Sequence, residues 1–235
     1  MAKMTTLEIV NAVLRNCGEE TVAGVASLSG LQLVVWDKII EALTEICTDQ
    51  NTRLDFLEAD GVIPLVTGSY KYQISALTNG ADMQQEDKES FLAKDFSQKI
   101  KYRTQQEFDN DYRGGIEDVR FGCPTEYTKY GGYIVFNREA TAAENGKNVT
   151  FKYWKHPTLP STSAGSSTLD IPEPFDRLLL VALASMKVLA YLGNDEAVVY
   201  KMAVYGDGNL VEGSLAKLKE LYSSPDLKPR VTYKF

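Results

Sequence analysis

The hydrophobic period of this chain changes twice along its length, and that pair of switches constrains the fold more than any single residue does. Apolar residues recur at helical spacing to about Gln50, alternate in strand fashion between turns from Arg53 to Ile171, and return to helical spacing from Pro174. Each helical end is too short to bury a core alone. Together they can complete one bundle, which leaves the β-rich middle to project as an inserted lobe. The predicted fold class is therefore α+β. It comprises an α-helical bundle built from both chain ends (residues 1–52 and 173–222), an inserted antiparallel β sandwich or barrel (residues 53–172), and an extended C-terminal tail (residues 223–235).

The first helix is announced by Thr5-x-x-Glu8, a capping box, followed by apolar stripes through Leu7, Ile9, Val10, Val13, Leu14 and Cys17, with Gly18 as its stop. A second helix, Leu31 to Gln50, repeats Val35, Ile39, Leu43 and Ile46 and widens its face with Trp36, Ile40 and Cys47, so it should pack against more than one neighbour. Asp60-Gly61 reads as a turn before the strand Val62–Val66, and Tyr70, Tyr72 and Ile74 line one side of the next. The polar stretches Asn79–Ser90 and Glu107–Gly115 read as loops. Ile100 and Tyr102 alternate as in a strand. Further strands are expected at Thr125–Tyr130, Tyr133–Phe136 and Val149–Trp154, with turns at Gly131-Gly132 and Asn145-Gly146. Pro157 to Pro174 is a return linker, after which Leu178 to Ala184 marks a buried helix face ending near Gly193. Asn194 caps a last helical pattern that runs to Leu221, interrupted at Gly206-Asp207-Gly208.

Charge and composition exclude several classes of function. With 25 Lys and Arg against 32 Asp and Glu the net charge is −7, which disfavours a protein that grips phosphates, although such a chain can surround nucleic acid without holding it. No apolar run reaches the roughly 18 residues that span a bilayer, and Met1 to Thr6 leads directly into a patterned helix, so neither a membrane span nor a signal peptide is expected. Cys17, Cys47 and Cys123 are odd in number and far apart, which fits reduced core residues made in a cytoplasm and not a metal or redox site.

No catalytic signature emerges. His156, the only histidine, lacks a nearby nucleophile or carboxylate partner and reads as a solvated loop residue. Asp109-Asn110-Asp111 with Gly114 has the outline of a calcium loop, but Arg113 and Arg120 stand where oxygen ligands belong. The pairs Gly114-Gly115 and Gly131-Gly132 lack the continuation of a phosphate loop, and Glu19-Glu20 and Glu117-Asp118 are neighbours in sequence, not facing carboxylates. Six tyrosines of the β segment, Tyr102, Tyr112, Tyr127, Tyr130, Tyr133 and Tyr153, could form a sugar-binding surface, although strand propensity accounts for most of them.

The layout resembles the head-to-tail adaptor, or connector, proteins of tailed bacteriophages, including the tail tubular A-type adaptors of short-tailed phages. Its carriers are the two opening helices, the strand Val62-Ile63-Pro64-Leu65-Val66 followed by Gly68 and Tyr70-Lys71-Tyr72-Gln73-Ile74, and the turn Gly122-Cys123-Pro124-Thr125-Glu126-Tyr127. To these are added the strands Gly132–Phe136 and Phe151–Trp154, the run through Pro157 and Leu159 to Ile171-Pro172, and the helix holding Leu178–Ala184. The acidic, glutamine-rich stretch Asp82–Glu89 departs from that pattern.

The resemblance implies a non-enzymatic structural protein of the virion, synthesised in the host cytoplasm and seated at the portal vertex. It implies a ring of twelve copies joining the portal protein to the tail tube or nozzle protein, with transient, non-specific passage of double-stranded DNA and no cofactor, metal or membrane. The acidic balance agrees, because carboxylates lining a channel repel phosphates instead of trapping them. In the tail, Pro225, Lys228, Arg230, Val231, Tyr233 and Phe235 alternate basic and apolar character and are expected to dock on the portal. The alternative is a non-catalytic glycan-binding module of a phage tail or other surface assembly.

Overall fold

A computed structural model describes residues 3–48, 53–112, 120–163, 165–207 and 212–223 and divides the chain into two units, Met1–Leu57 with Pro157–Phe235, and Glu58–His156. In chain order the elements are α1 (Thr6–Asn16), α2 (Leu31–Cys47), β1 (Glu58–Pro64), β2 (Lys71–Gln73), β3 (Met83–Glu86), β4 (Leu92–Ala93), β5 (Gln98–Lys99), β6 (Lys101–Tyr102), α3 (Gln105–Asp111), β7 (Glu126–Tyr130), β8 (Tyr133–Phe136), β9 (Asn148–Lys155), a π-helical segment (Asp176–Val181) continuing into α4 (Ala182–Tyr191), α5 (Ala197–Tyr205) and α6 (Ser214–Tyr222). The architecture is thus mixed, with six α-helices and two sheets that are mostly antiparallel.

The first unit is helical. Thr5 and Glu8 close the predicted capping box, each satisfying a backbone N–H at the start of α1. The buried stripe Ile9, Val10, Val13 and Leu14 then turns inward with Val35, Ile39, Leu43 and Ile46 of α2 and Leu179, Leu183, Val188 and Leu189 of the π segment and α4. Helix α2 contacts α1, the π segment and α4, as its wide apolar face predicts. Leu178 is the exception in the stretch expected to be buried, for it is exposed while Leu179 to Ala184 are not.

Backbone bonds fasten the two ends of the chain to one another. The Thr6 and Leu7 N–H groups donate to the Ser167 and Gly165 carbonyls, and the Met4 N–H donates to Asp176 Oδ2 at 2.7 Å. Asp176 is buried, and its second oxygen accepts from the Arg177 N–H at 2.8 Å. Two backbone donors therefore solvate a carboxylate that burial alone would penalise.

In the second unit β9 is the organising strand. It pairs along its length with β1 and, on its other side, with β4 and β3; β5 extends β4. The other sheet runs β2-β8-β7-β6. Its β6–β7 pair is parallel, a departure from the all-antiparallel expectation, and the long connection through α3 supplies the crossover that parallel neighbours need. Side chains from both sheets, among them Ile63, Tyr72, Tyr127, Phe136, Val149 and Phe151, make one hydrophobic cluster with Phe91, which directly precedes β4. At its centre Phe91 stacks on Tyr127 at 3.9 Å and on Phe151 at 4.6 Å between centroids.

Three local expectations are corrected here. Asp60-Gly61 is no turn: Gly61 lies inside β1 opposite Phe151, and a Cβ on it would sit 2.2 Å from that ring, so the glycine is there to let an aromatic side chain lie across the strand. Asn79–Ser90 contains β3, whose buried ends Met83 and Glu86 flank a polar middle and hide the alternation. Glu107–Gly115 begins within α3, which opens on a second capping box, Thr104 with Glu107, and buries Phe108. The turn glycines at Gly131-Gly132 and Gly146 hold as expected, each with positive φ.

Candidate functional site

Helix α5 has the sequence Ala-Val-Val-Tyr-Lys-Met-Ala-Val-Tyr, apolar around its whole circumference except for Lys201. A helix of that kind is normally covered on all sides. Here one stripe only faces inward: Val204 is fully buried, with Ala197 and Tyr200 half-buried at helical spacing from it. The outward stripe, Val198, Met202 and Tyr205 with Val199 beside it, stays in solvent, Val199 at 66% and Met202 at 53% exposure. Tyr191 and Leu192, at the end of α4, are also exposed.

Three features hold α5 in place. Gly193, in the left-handed conformation, ends α4 and starts the connection, where Asn194 Oδ1 accepts from the Glu196 N–H at 2.9 Å. The expected cap at Asn194 thus becomes a turn, and α5 starts at Ala197. After α5, the backbone breaks at Gly206 and returns so closely that a Cβ on Gly213 would lie 2.2 Å from the Val204 carbonyl oxygen. Only glycine can seat α6 there.

The third feature is electrostatic. Lys187 of α4 bridges two carboxylates of α2, Glu41 at 2.8 Å and Glu45 at 2.7 Å, and the Tyr205 hydroxyl at the end of α5 donates to Glu45 at 2.7 Å. Lys38 adds a second bond to Glu41 at 2.7 Å. Hydrogen bonds from Lys187 and Lys38 hold the Glu41 carboxyl below its ordinary range. Burial pushes Glu45 upward, but the bonds from Lys187 and Tyr205 outweigh it and its pKa is also lowered. Burial likewise opposes the charge on Lys187, and its two carboxylate partners override that and raise it. Burial and the Glu45 charge push the Tyr205 phenol up to about 12.

The second unit carries a polar cleft of about 370 Å³ lined by Arg103, Asp111, Tyr112, Arg120 and Glu126. Its charges pair with each other: Arg103 Nε donates to Glu126 at 3.1 Å, its other end lies 3.7 Å from Asp111, and the Tyr112 hydroxyl donates to Glu126 at 2.8 Å while accepting from Asn137 at 3.1 Å. The Arg120 guanidinium sits 5.3 Å from the Tyr112 ring centroid. Among the described residues Arg103 thus ties Asp111 of α3 to Glu126 of β7, and the cluster anchors α3 to β7.

Other residues singled out from sequence fall in plain settings. His156 is exposed, and its backbone N–H donates to the Asp82 carbonyl at the end of the β3–β9 pairing. Asp109 and Asp111 lie on α3, whereas Arg113, Gly114, Gly115, Glu117 and Asp118 lie outside the described residues. Glu19 and Glu20 are exposed. Cys47 is buried, while Cys17 and Cys123 are half-buried, and all three are free thiols. Of the six β-segment tyrosines, Tyr127 and Tyr153 are buried, Tyr102, Tyr112 and Tyr133 are half-buried and Tyr130 is exposed, so the six together do not make one surface. The proposed docking residues Pro225, Lys228, Arg230, Val231, Tyr233 and Phe235 lie outside the described residues.

Among the described residues no group of three or more His, Cys, Asp or Glu is placed to hold a metal, and no helix is long and apolar enough to cross a membrane. The exposed α5 face was missed from sequence because its residues were absorbed into one continuing helical pattern. The signal was present: nine consecutive helical residues with a single charge. The family model described as SU10 adaptor protein matches residues 4–225. No individual curated protein matches the chain.

Proposed function

The chain belongs to the SU10 adaptor protein family, and from that premise we propose that it forms a ring of twelve copies that joins the portal protein to the tail and lets double-stranded DNA pass. The family is one of structural phage adaptors, virion proteins that interact with other head and tail proteins. The observation that carries the proposal is the outward face of α5, an apolar surface held on a well-packed scaffold and left uncovered by the described residues. A surface of that kind serves association with protein.

The parts divide as follows. The helical portions, residues 1–52 and 173–222, form the ring wall; the β portion, residues 53–172, supplies lateral or tail-side contacts; residues 223–235 reach the portal through Lys228, Arg230, Val231, Tyr233 and Phe235. The mechanism is thermodynamic. Repetition in a closed ring converts modest pairwise contacts into one stable assembly, and the net charge of −7 per copy keeps DNA from adhering on its way through.

Electron-microscopic imaging of the portal vertex tests this reading. A symmetric collar of this chain directly beneath the portal is expected, and its density gives the copy number. Density of the chain on a peripheral spike instead would replace the adaptor reading with the glycan-binding one. Removal of residues 225–235 is expected to abolish portal attachment while leaving the unfolding midpoint unchanged; attachment that survives the deletion refutes the role of the tail.

A further inference from the structure

We infer that the outward stripe of α5, Val198, Val199, Met202 and Tyr205, is the contact between neighbouring copies of this chain. The inference rests on the adaptor reading above and names the partner that the uncovered face meets.

Charge selects the partner. Copies that each carry −7 repel one another wherever their surfaces are acidic, so two of them approach best where the surface is uncharged. On α5 the only charge is that of Lys201, which is exposed and opposite in sign to the chain as a whole. The exposed acids Asp195 and Glu196 stand just before the helix, so the apolar stripe carries a cation and acids side by side, and Lys201 of one copy can meet the acids of the next. DNA has no use for such a face, since a nucleic acid is held through its phosphates.

Shape and rigidity agree. The stripe lies on a helix pinned by the buried Val204, by the glycine seat at Gly213 and by the Tyr205–Glu45 bond, so little ordering is required on contact. Tyr205 belongs to both sets: its hydroxyl is fixed from beneath by Glu45 while the residue as a whole remains 43% exposed. A tyrosine anchored at one end and bare at the other is a residue type that concentrates binding energy at interfaces.

The test places a photo-crosslinking phenylalanine analogue at position 199 and, separately, at position 202, in chains assembled on portal-bearing capsids, and identifies the products by mass. Crosslinks between two copies of this chain are expected from both positions. Crosslinks only to the portal or tail protein, or none, overturn the inference. Quantifying the chain in the same purified particles separates the two readings: if it is present and crosslinks elsewhere, only the lateral contact falls, whereas its absence from the particles removes the adaptor reading and the contact with it. As a second arm, the Val199→Glu, Met202→Glu double variant is expected to keep the urea midpoint of the parent chain and to lower the copies recovered per capsid at least tenfold. Unchanged recovery overturns the inference.

Discussion

The two units of this chain differ in where they leave a cluster of apolar side chains exposed. In the β unit, Phe91, Tyr127 and Phe151 are stacked and inaccessible, and even a glycine inside a strand is covered by the Phe151 ring. In the helical unit, α1, α2 and α4 close over their core, but α5 turns Val198, Val199, Met202 and Tyr205 outward. The β unit also leaves Val66, Phe121 and Tyr130 exposed, but these stand apart in the sequence, whereas the exposed residues of α5 share one short helix. An exposed apolar stripe on a rigid helix is the kind of surface that association covers, which is the role proposed for it above.

Substitutions break or sharpen that contrast, and the largest effect belongs to the β unit. Phe151→Ala removes a ring from the centre of the stack and is expected to lower stability by about 3–5 kcal/mol in urea unfolding. A loss below 1 kcal/mol would mean that the stack is not the core of this unit. Next comes Gly213→Ala in the helical unit, where the added methyl meets the α5 backbone; a loss of about 1–3 kcal/mol is expected, with reduced helical circular dichroism.

Smaller again is the clasp beneath α5. Lys187→Met should cost about 1 kcal/mol, a figure reduced because Glu41 and Glu45 are 49% and 40% exposed and solvent screens them. Its pH dependence gives a finer check. Lys187 and Tyr205 have raised pKa values, so their contribution is complete below about pH 10 and is lost as pH rises through about 12, the value at Tyr205. Glu41 and Glu45 are lowered, so theirs is present above the ordinary carboxylate range and is lost as pH falls through their folded values. Lys187→Met should flatten both flanks of the stability–pH curve. Equal slopes in parent and variant would mean that the clasp contributes nothing.

The smallest effect on stability is expected at the uncovered stripe itself. Val199→Glu should shift the urea midpoint of the single chain by no more than about 0.5 kcal/mol equivalent, because a solvent-facing side chain has little to lose. A loss above 1 kcal/mol would show that Val199 is covered within its own chain and would erase the contrast between the units.

How much of this was legible in sequence depended on the range of the interaction. The Thr5–Glu8 box, the α2 face and the Gly131-Gly132 turn are written in residues three or four apart, and each appears where expected. The Thr104–Glu107 box carries the same local signature and was overlooked inside a polar stretch. Gly61 was misread because its reason is Phe151, ninety positions away in sequence and opposite it in the sheet. Strand β3 was unreadable for a similar cause: only its pairing with β9 turns Met83 and Glu86 inward.

The sequence alone determined the switches of period, the Thr5–Glu8 and Thr104–Glu107 caps, the Gly131-Gly132 and Gly146 turns and the acidic balance, because these follow from local backbone geometry and from counting charges. Tertiary structure alone decided which side of α5 is covered, since a helix apolar around its whole circumference contains no signal for its own orientation. That choice was made by Val204 packing inward, by Gly213 meeting the α5 backbone and by Tyr205 reaching Glu45, contacts whose partners lie up to 160 positions apart in the chain.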